Sequence, residues 1–254
     1  MSKEKEIKAL VRERYSAVTR EAEDKCCSGT PELEKLLTKG YSVEELETLP
    51  DSVVAMSKGC GNPTALGMIN KGDIVLDLGS GGGIDAFLAS RKVGSKGKVI
   101  GLDMTPAMIQ QAVENVKRIG ATNVEFKMGE IEQIPLDDGS VDVIMSNCVI
   151  CLSPDKGRVF REMFRVLRLG GRLAIADELA LTPFSEEEKS DPIKWAACIT
   201  GAITEQEYIN MLEEAGFKDI HVKRLRERRN EKGASLGVFS AFISATKPIN
   251  DKAD

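Results

Sequence analysis

LDLGSGGGIDAF, residues 76–87, decides how the rest of this chain is read. An apolar run enters it, an acid stands at Asp77, and Gly79, Gly81 and Gly83 follow at alternate positions. Glycine belongs where backbone must turn sharply and admit a ligand closely, so the stretch reads as a strand end, a tight turn and a helix start. The dinucleotide fingerprint would need glycine at 79, 81 and 84, but position 84 is Ile84. A carboxylate at Asp77 would repel a pyrophosphate and could receive an amine. That favours a cationic, amino-acid-bearing nucleoside over a dinucleotide.

Outward from this stretch the text alternates regularly. DIVLDL (73–78), KVIGLD (98–103), NVEFKMG (123–129), VDVIMSN (141–147) and RLAIADE (172–178) read as strands. GIDAFLASRKVG, TPAMIQQAVENVKRIG and PDKGRVFREMFRVLRLGG read as the helices between them, the second with a Thr cap and Pro at its first position. Such alternation implies a parallel sheet covered on both faces. After residue 183 the rhythm changes to an inserted helical segment, the helix TEQEYINMLEEAG, and two strand candidates, KDIHVKRL and GVFSAFISATK. Upstream, Ile7, Val11, Tyr15, Val18 and Ala22 recur at helical spacing, CCSGTPE (26–32) breaks the pattern, and helical pieces are expected around 31–38 and 43–57. One elaborated domain is expected: a helical extension over 1–50, a cofactor-binding core over 51–183, and over 184–254 a substrate-covering insertion with the last helix and two closing strands.

The chain has 254 residues and a net charge of −5, with both signs mixed, so neither nucleic acid nor an anionic membrane is expected as a partner. The basic stretch KRLRERRNEK (223–232) contains acids and no aromatics and reads as a solvated loop. The N-terminal text has no apolar core of a signal peptide, and no uncharged run approaches the ~20 residues needed to span a bilayer, so a cytoplasmic protein is expected. The six cysteines then read as working thiols or core residues rather than a disulfide framework. A single histidine, His221, reads as a partly exposed strand residue and leaves little room for histidine-rich metal sites.

The acid-x-Gly-x-Gly-x-Gly pattern closely resembles motif I of class I S-adenosylmethionine-dependent methyltransferases. The resemblance implies a Rossmann-like α/β fold, a seven-stranded, mostly parallel sheet with helices on both faces. Asp103 closes the second strand and can accept two hydrogen bonds from a ribose diol, with Met104 as an apolar surface for a base. MGEIEQIPLDDGSVD (128–142) resembles the adenine segment of these enzymes, which implies that Glu130 holds the adenine amino group and the Ile131 amide the ring nitrogen. Ligands of open α/β sheets bind beyond the carboxyl ends of the strands, where Gly79, Asp103, Glu130 and Cys148 all fall.

The thiols are dispersed. Cys26 and Cys27 lie in the N-terminal turn, Cys60 in KGCGNP, Cys148 and Cys151 in SNCVICLS, and Cys198 in WAACITGAI. Structural zinc prefers local Cys/His spacings, and the thioredoxin context for a C-x-x-C pair is absent. A soft thiophilic ion prefers sulfur ligands, and trivalent arsenic on three thiolates keeps a lone pair that can attack a methyl group. GCGNP, LDLGSGGG, SNCVI-LSPDK and DP-x-x-W-x-x-C-x-x-GA together resemble the arsenite S-adenosylmethionine methyltransferases over about residues 10–226. That resemblance implies arsenite, or its thiol complex, as substrate, with Cys60, Cys148 and Cys198 as arsenic ligands. Cys26 and Cys27 look like the family's N-terminal pair, implied to join a disulfide relay recharged by glutathione, thioredoxin or another small thiol. Cys151 departs from the family pattern and reads as a bystander near the site. Tyr15 either packs, as its helical spacing favours, or helps close the cofactor pocket. The rival readings are a methyltransferase of a small quinone-like organic acceptor and a non-catalytic thiophilic-ion binding protein.

Overall fold

The computed structural model describes residues 3–24 and 30–249. The helical extension comprises α1 (Lys3–Asp24), α2 (Thr30–Leu37), α3 (Val43–Glu47) and α4 (Asp51–Met56). A capping box of Ser42 and Glu45 starts α3, and Pro50 separates it from α4, so the single helical piece expected over 43–57 is two. The core then alternates as β1 (Ile74–Leu78), α5 (Ile84–Val93), β2 (Lys98–Asp103), α6 (Pro106–Ile119), β3 (Val124–Met128), β4 (Val141–Asn147), α7 (Lys156–Val166) and β5 (Leu167–Ala180). The chain continues through α8 (Glu186–Lys189), α9 (Pro192–Ala196), α10 (Glu205–Glu214), β6 (Lys218–Arg229) and β7 (Ser235–Thr246).

The seven strands are ordered β3-β2-β1-β4-β5-β7-β6. β1 to β5 pair in parallel, and β7 runs antiparallel between β5 and β6. The side-chain period of two sorts each central strand onto two faces. Leu76, Leu78, Ile100, Leu102, Ile144 and Ile175 point into the core under α7 and α10. Val75, Val99, Val143, Met145 and Ala174 point into the core under α5 and the N-terminal helices. The direction of winding reverses between β1 and β4, which opens a crevice at their carboxyl ends. Helix α1 lies across α4, α6 and α9 over that crevice.

Two local expectations change. The helix expected through residue 171 ends at Val166, and β5 begins at Leu167. Leu167 pairs with Val141, and Gly170 and Gly171 exchange backbone hydrogen bonds with Lys247 at 2.9 Å, so sheet pairing satisfies this backbone although its apolar spacing is helical. The basic stretch expected as a loop lies mostly in the edge strand β6, its acids and bases turned largely to solvent. Among the described residues, no helix is long and apolar enough to cross a membrane.

Candidate active site

The turn after β1 is built by left-handed backbone, with φ of 68° at Gly79, 50° at Gly81 and 96° at Gly83. The amides of Gly79 and Ser80 both donate to Leu102 O, at 2.8 and 3.0 Å, which ties the turn to β2. A Cβ at Gly79 would collide with Val149, and one at Gly83 with Phe87 and Phe126. At Gly81 a Cβ would meet only Met108 Sδ at 3.9 Å, so this position faces open space. That space is a cavity of about 970 Å³, its open mouth included, reaching from Gly79–Gly82 past Asp103, Met104 and Ile131 to Cys148. Asp103 accepts the Gly81 amide at 3.0 Å and the Thr105 amide at 2.8 Å, holding the turn against the start of α6.

Burial pushes the carboxyls of Asp77, Asp85 and Asp103 upward, Asp85 to about 6. Asp77 Oδ2 is buried without a hydrogen-bond partner. Three crowded carboxyls, one of them orphaned, suit a ligand carrying positive charge, and the residues present fit S-adenosylmethionine. Glu130 stands apart from the lining. Its carboxylate pairs with Arg12 at 2.6 Å and Lys8 at 2.9 Å on α1, which hold it below the ordinary carboxylate range. The lining instead takes Ile131 and the neighbouring Glu132, a buried acid that accepts Ser153 Oγ at 2.6 Å. Tyr15 also lines the cavity.

The thiols meet at the end of β4. Cys60, Cys148, Cys151 and Cys198 are all free and buried. The sulfurs of Cys148, Cys151 and Cys198 lie within 4.8 Å of one another, and those of Cys60 and Cys148 lie equally close to a Glu178 carboxylate oxygen. Cys148 is the shared member, and it lines the cofactor cavity. Cys151, set apart by the sequence reading, therefore stands inside the cluster. Cys26 and Cys27 lie outside the described residues. Burial pushes the Cys151 thiol well up, and the hydrogen bond with Cys148 does the same for Cys198. The Cys151 hydrogen bond draws Cys148 down, but burial and Cys60 outweigh it and push Cys148 up to about 12.

Each motif around these thiols has a mechanical reason. Cys148 and Cys198 have φ of 60° and 58°, a region side chains rarely enter, and they are two of the three non-glycine residues found there among those described. The Cys148 amide donates to Ala176 O at 2.8 Å, and Cys198 Sγ donates to Cys148 O at 3.5 Å. Asp191 caps α9, Pro192 starts it, and Trp195 Nε1 donates to Leu152 O at 3.0 Å, which seats α9 on the Cys151 turn. A Cβ at Gly201 would strike Cys151 O, so glycine is required three residues after Cys198. Lys156, buried, donates to Cys151 O at 3.2 Å and Ser153 O at 2.8 Å and sits over the Trp195 ring.

Asn147, which motif reading passed over, joins the two halves of the site. Its Oδ1 accepts the Cys60 amide at 2.9 Å, and its Nδ2 donates to Gly61 O at 2.7 Å, Asp85 Oδ2 at 2.9 Å and Tyr41 Oη at 3.0 Å. Tyr41 in turn donates to Asp85 Oδ1 at 2.8 Å. A Cβ at Gly59 would fall under 3.0 Å from the Asn147 side chain, which explains the glycine before Cys60. Glu178 and Asp177, buried acids on β5, were also missed; SNCVI pointed to one strand end, while these lie on its neighbour.

A glycine cradle at the switch point of this sheet, closed by an acid at the end of the second strand, defines a class I S-adenosylmethionine-dependent methyltransferase. Residues 69–216 match the methyltransferase domain family. An arsenite methyltransferase of Halobacterium salinarum is 40% identical over 97% of this chain and 68% of its own length. The human arsenite methyltransferase is 32% identical over 84% of this chain and 58% of its own length. The crystal structure of an arsenic(III) S-adenosylmethionine methyltransferase from Chlamydomonas reinhardtii superposes with a TM-score of 0.66 at 31% identity, covering 88% of this chain and 75% of that one. This chain belongs to the arsenite methyltransferase family. It spans 68% and 58% of the halobacterial and human proteins, so the activity of those longer proteins is carried to it only as a proposal.

Proposed function

We propose that this chain methylates trivalent arsenic held on the thiolates of Cys60, Cys148 and Cys198, with S-adenosylmethionine as methyl donor. The observation that carries this reading is the convergence of buried free thiols at the end of β4, one of which, Cys148, opens into the cofactor cavity. The cradle of Gly79–Gly82, Asp85, Asp103, Met104 and Ile131 would hold the donor, with the buried Asp77 behind the lining. When bound, S-adenosylmethionine supplies a methyl group on positively charged sulfur. The chain's part is to orient arsenic toward that methyl and to exclude water, which makes catalysis chiefly a matter of alignment.

Arsenite exchanges its hydroxyls for the thiols one by one, each hydroxyl leaving as water with a thiol proton. Glu178, within 4.8 Å of the Cys60 and Cys148 sulfurs, is placed to relay those protons. Burial raises its carboxyl above the ordinary carboxylate range, in the direction that makes it a better proton acceptor. The segment over 184–254 covers the thiols through α9 and Trp195. An external thiol, whether glutathione, thioredoxin or another small thiol, restores the enzyme between turnovers, with Cys26 or Cys27 in the relay. An organic acceptor would leave four converging buried thiols without a use.

The test incubates purified protein with S-adenosylmethionine, arsenite and a thiol and separates the arsenic species. Methylarsenicals are expected, and Cys60→Ser and Cys148→Ser should each abolish them while the donor still binds. A protein that binds the donor but forms no methylarsenical would sink this reading.

A further inference from the structure

The thiol cluster has a second side. Cys148 lines the cofactor cavity, but Cys60, Cys198 and Glu178 do not, and the side they form is ringed by cations. Glu178 on β5 pairs with Ser240 on β7, and Ser240 pairs with Arg226 on β6, so the three side chains share one face of the sheet. Ser240 Oγ donates to Glu178 Oε1 at 3.1 Å. Further along β6, Arg228 Nη1 donates to Ala197 O at 2.8 Å and Cys198 O at 3.4 Å. Arg226 Nη1 donates to Thr38 Oγ1 at 3.2 Å, and Lys39 follows in the chain. Asn62 Nδ2 donates to Gly40 O at 3.2 Å, which ties that segment to the Cys60 loop.

Among the described residues, neither Lys39, Arg226 nor Arg228 is in an ion pair with a carboxylate, whereas Arg224 and Arg229 beside them are paired with Glu205 and Glu227. Burial pulls the Lys39 ammonium down; the Cys60 and Cys148 sulfurs oppose this, and Arg226 and Lys58 add to it. Lys39 therefore stands between the thiols and other cations. The group faces Glu178, which Arg228 and Arg226 draw down against the burial that raises it. Three cations against one carboxylate leave an excess of positive charge beside the thiols, suited to an anion from outside.

Resting on the proposed function, we infer that Lys39, Arg226 and Arg228 form a carboxylate-binding site that docks arsenic arriving on a small, carboxylate-bearing thiol. The attack geometry demands this side. Arsenic on three sulfurs is pyramidal, and its lone pair must face the methyl in the cofactor cavity. Its sulfurs then occupy the opposite hemisphere, so a displaced carrier thiol leaves away from the donor, toward Glu178 and the cations. The guanidinium forks match the carrier's carboxylate while its sulfur is exchanged. Each exchange balances: one bond from arsenic to a carrier sulfur breaks, one to a cysteine sulfur forms, and the cysteine proton passes to the departing thiol. Glu178 Oε2, buried without a hydrogen-bond partner, is placed to relay that proton. Arsenic stays trivalent throughout.

The test reads loading alone, without methyl donor. The sequence holds one tryptophan, Trp195, whose indole seats α9 on the Cys151 turn, so its fluorescence reports arsenic reaching the cluster. Stopped-flow mixing compares arsenite complexed with mercaptoacetate and with mercaptoethanol, thiols of equal length that differ in the carboxylate. The ratio of the two loading rates should be about tenfold higher in the parent at low salt than in Lys39→Gln/Arg226→Gln, and lower still in Arg226→Glu. In the parent it should fall as salt screens the charges. Arg228 is left in place because its guanidinium also holds the Cys198 carbonyl. A ratio equal in parent and variants, or indifferent to salt in the parent, overturns the inference. The salt series needs no variant, so a poorly folding substitution leaves the test intact. If arsenic loads with this preference but is never methylated once S-adenosylmethionine is added, the proposed function fails and the docking site stands. If neither complex delivers arsenic to the thiols, both fall.

Discussion

Asn147→Ala should uncouple the arsenic side of the site from the cofactor side. The substitution removes the acceptor of the Cys60 amide and the donor to Gly61 O, Tyr41 Oη and Asp85 Oδ2. The two Nδ2 protons serve three acceptors, so the bonds to Cys60, Gly61 and Asp85 are counted. At about 1 kcal/mol for each neutral bond and about 2 for the one to a carboxylate, the loss is about 4 kcal/mol. Asn147 lines the open cavity, so water can replace part of this, leaving about 2–3 kcal/mol. For a chain of this size that is a fall in melting temperature of roughly 5–10 °C. The catalytic loss should be larger, about a hundredfold, because a ligand thiol displaced by an ångström no longer aligns arsenic with the methyl. Asn147→Asp keeps the acceptor for Cys60 but sets a second carboxylate against Asp85. It should be less stable than Asn147→Ala at pH 8 and recover relative to it on acidification, because losing the Asn147 hydrogen bond and gaining a carboxylate both push the Asp85 carboxyl above its about 6 in the parent. Circular dichroism melts at pH 8 and after acidification, with arsenic speciation, read these effects. If both variants melt with the parent and methylate at its rate, the coupling through Asn147 is refuted.

Gly81→Ala and Gly67→Ala separate strain from ligand space. Both positions are left-handed, with φ of 50° and 69°, so each alanine should lower stability by about 1–2 kcal/mol. Only Gly81 lines the cavity, so calorimetric titration should show about tenfold weaker donor binding for Gly81→Ala and unchanged binding for Gly67→Ala, and equal affinities would contradict the cradle. Alkaline pH provides the other check. Cys148 is pushed up to about 12 in the folded protein, whereas an unfolded thiol ionises near about 8.5, so its stabilising contribution is complete below that and is lost as pH rises toward 12. Urea unfolding at increasing pH should show a decline that is shallower in Cys148→Ser by up to about 1.4 kcal/mol per pH unit, and parallel curves would mean that the thiol is not shielded.

The fold was legible because its signals are local. Strand alternation, the Thr105–Pro106 helix start and the turn glycines each depend on a few neighbouring residues, and the β1 turn has the geometry its glycines demand. The helix end at Val166 was not legible, since Leu167 and Leu169 continue an apolar helical spacing and only pairing with Val141 and Lys247 decides otherwise. Cys60, Cys148 and Cys198 were proposed as ligands through the family resemblance, but that they share one buried cluster could not be read from spacing alone. Cys151 was set apart because it breaks a family pattern, although the distances that matter run to Cys198 on another element. Asn147 lies inside SNCVI without being singled out by it, and Glu178 carries no motif. Their importance comes from burial and from partners up to 106 residues away.

The electrostatics of the cluster bear on its choice of substrate. Four buried thiols beside Asp177 and Glu178 form a site where ionised sulfur is costly, and the thiols are accordingly pushed up. A divalent cation would need three thiolates generated at once, leaving excess negative charge against two buried acids. Arsenous acid asks for none. It is neutral, its hydroxyls leave with the thiol protons as water, and arsenic bound to three thiolates is neutral again. Charge appears only when the methyl arrives and makes the centre cationic. Glu178 lies within 4.8 Å of the Cys60 and Cys148 sulfurs and Asp177 accepts the Cys151 amide, so in the proposed reaction the acids that disfavour ionised thiols in the resting protein would favour the cationic state that follows methyl transfer.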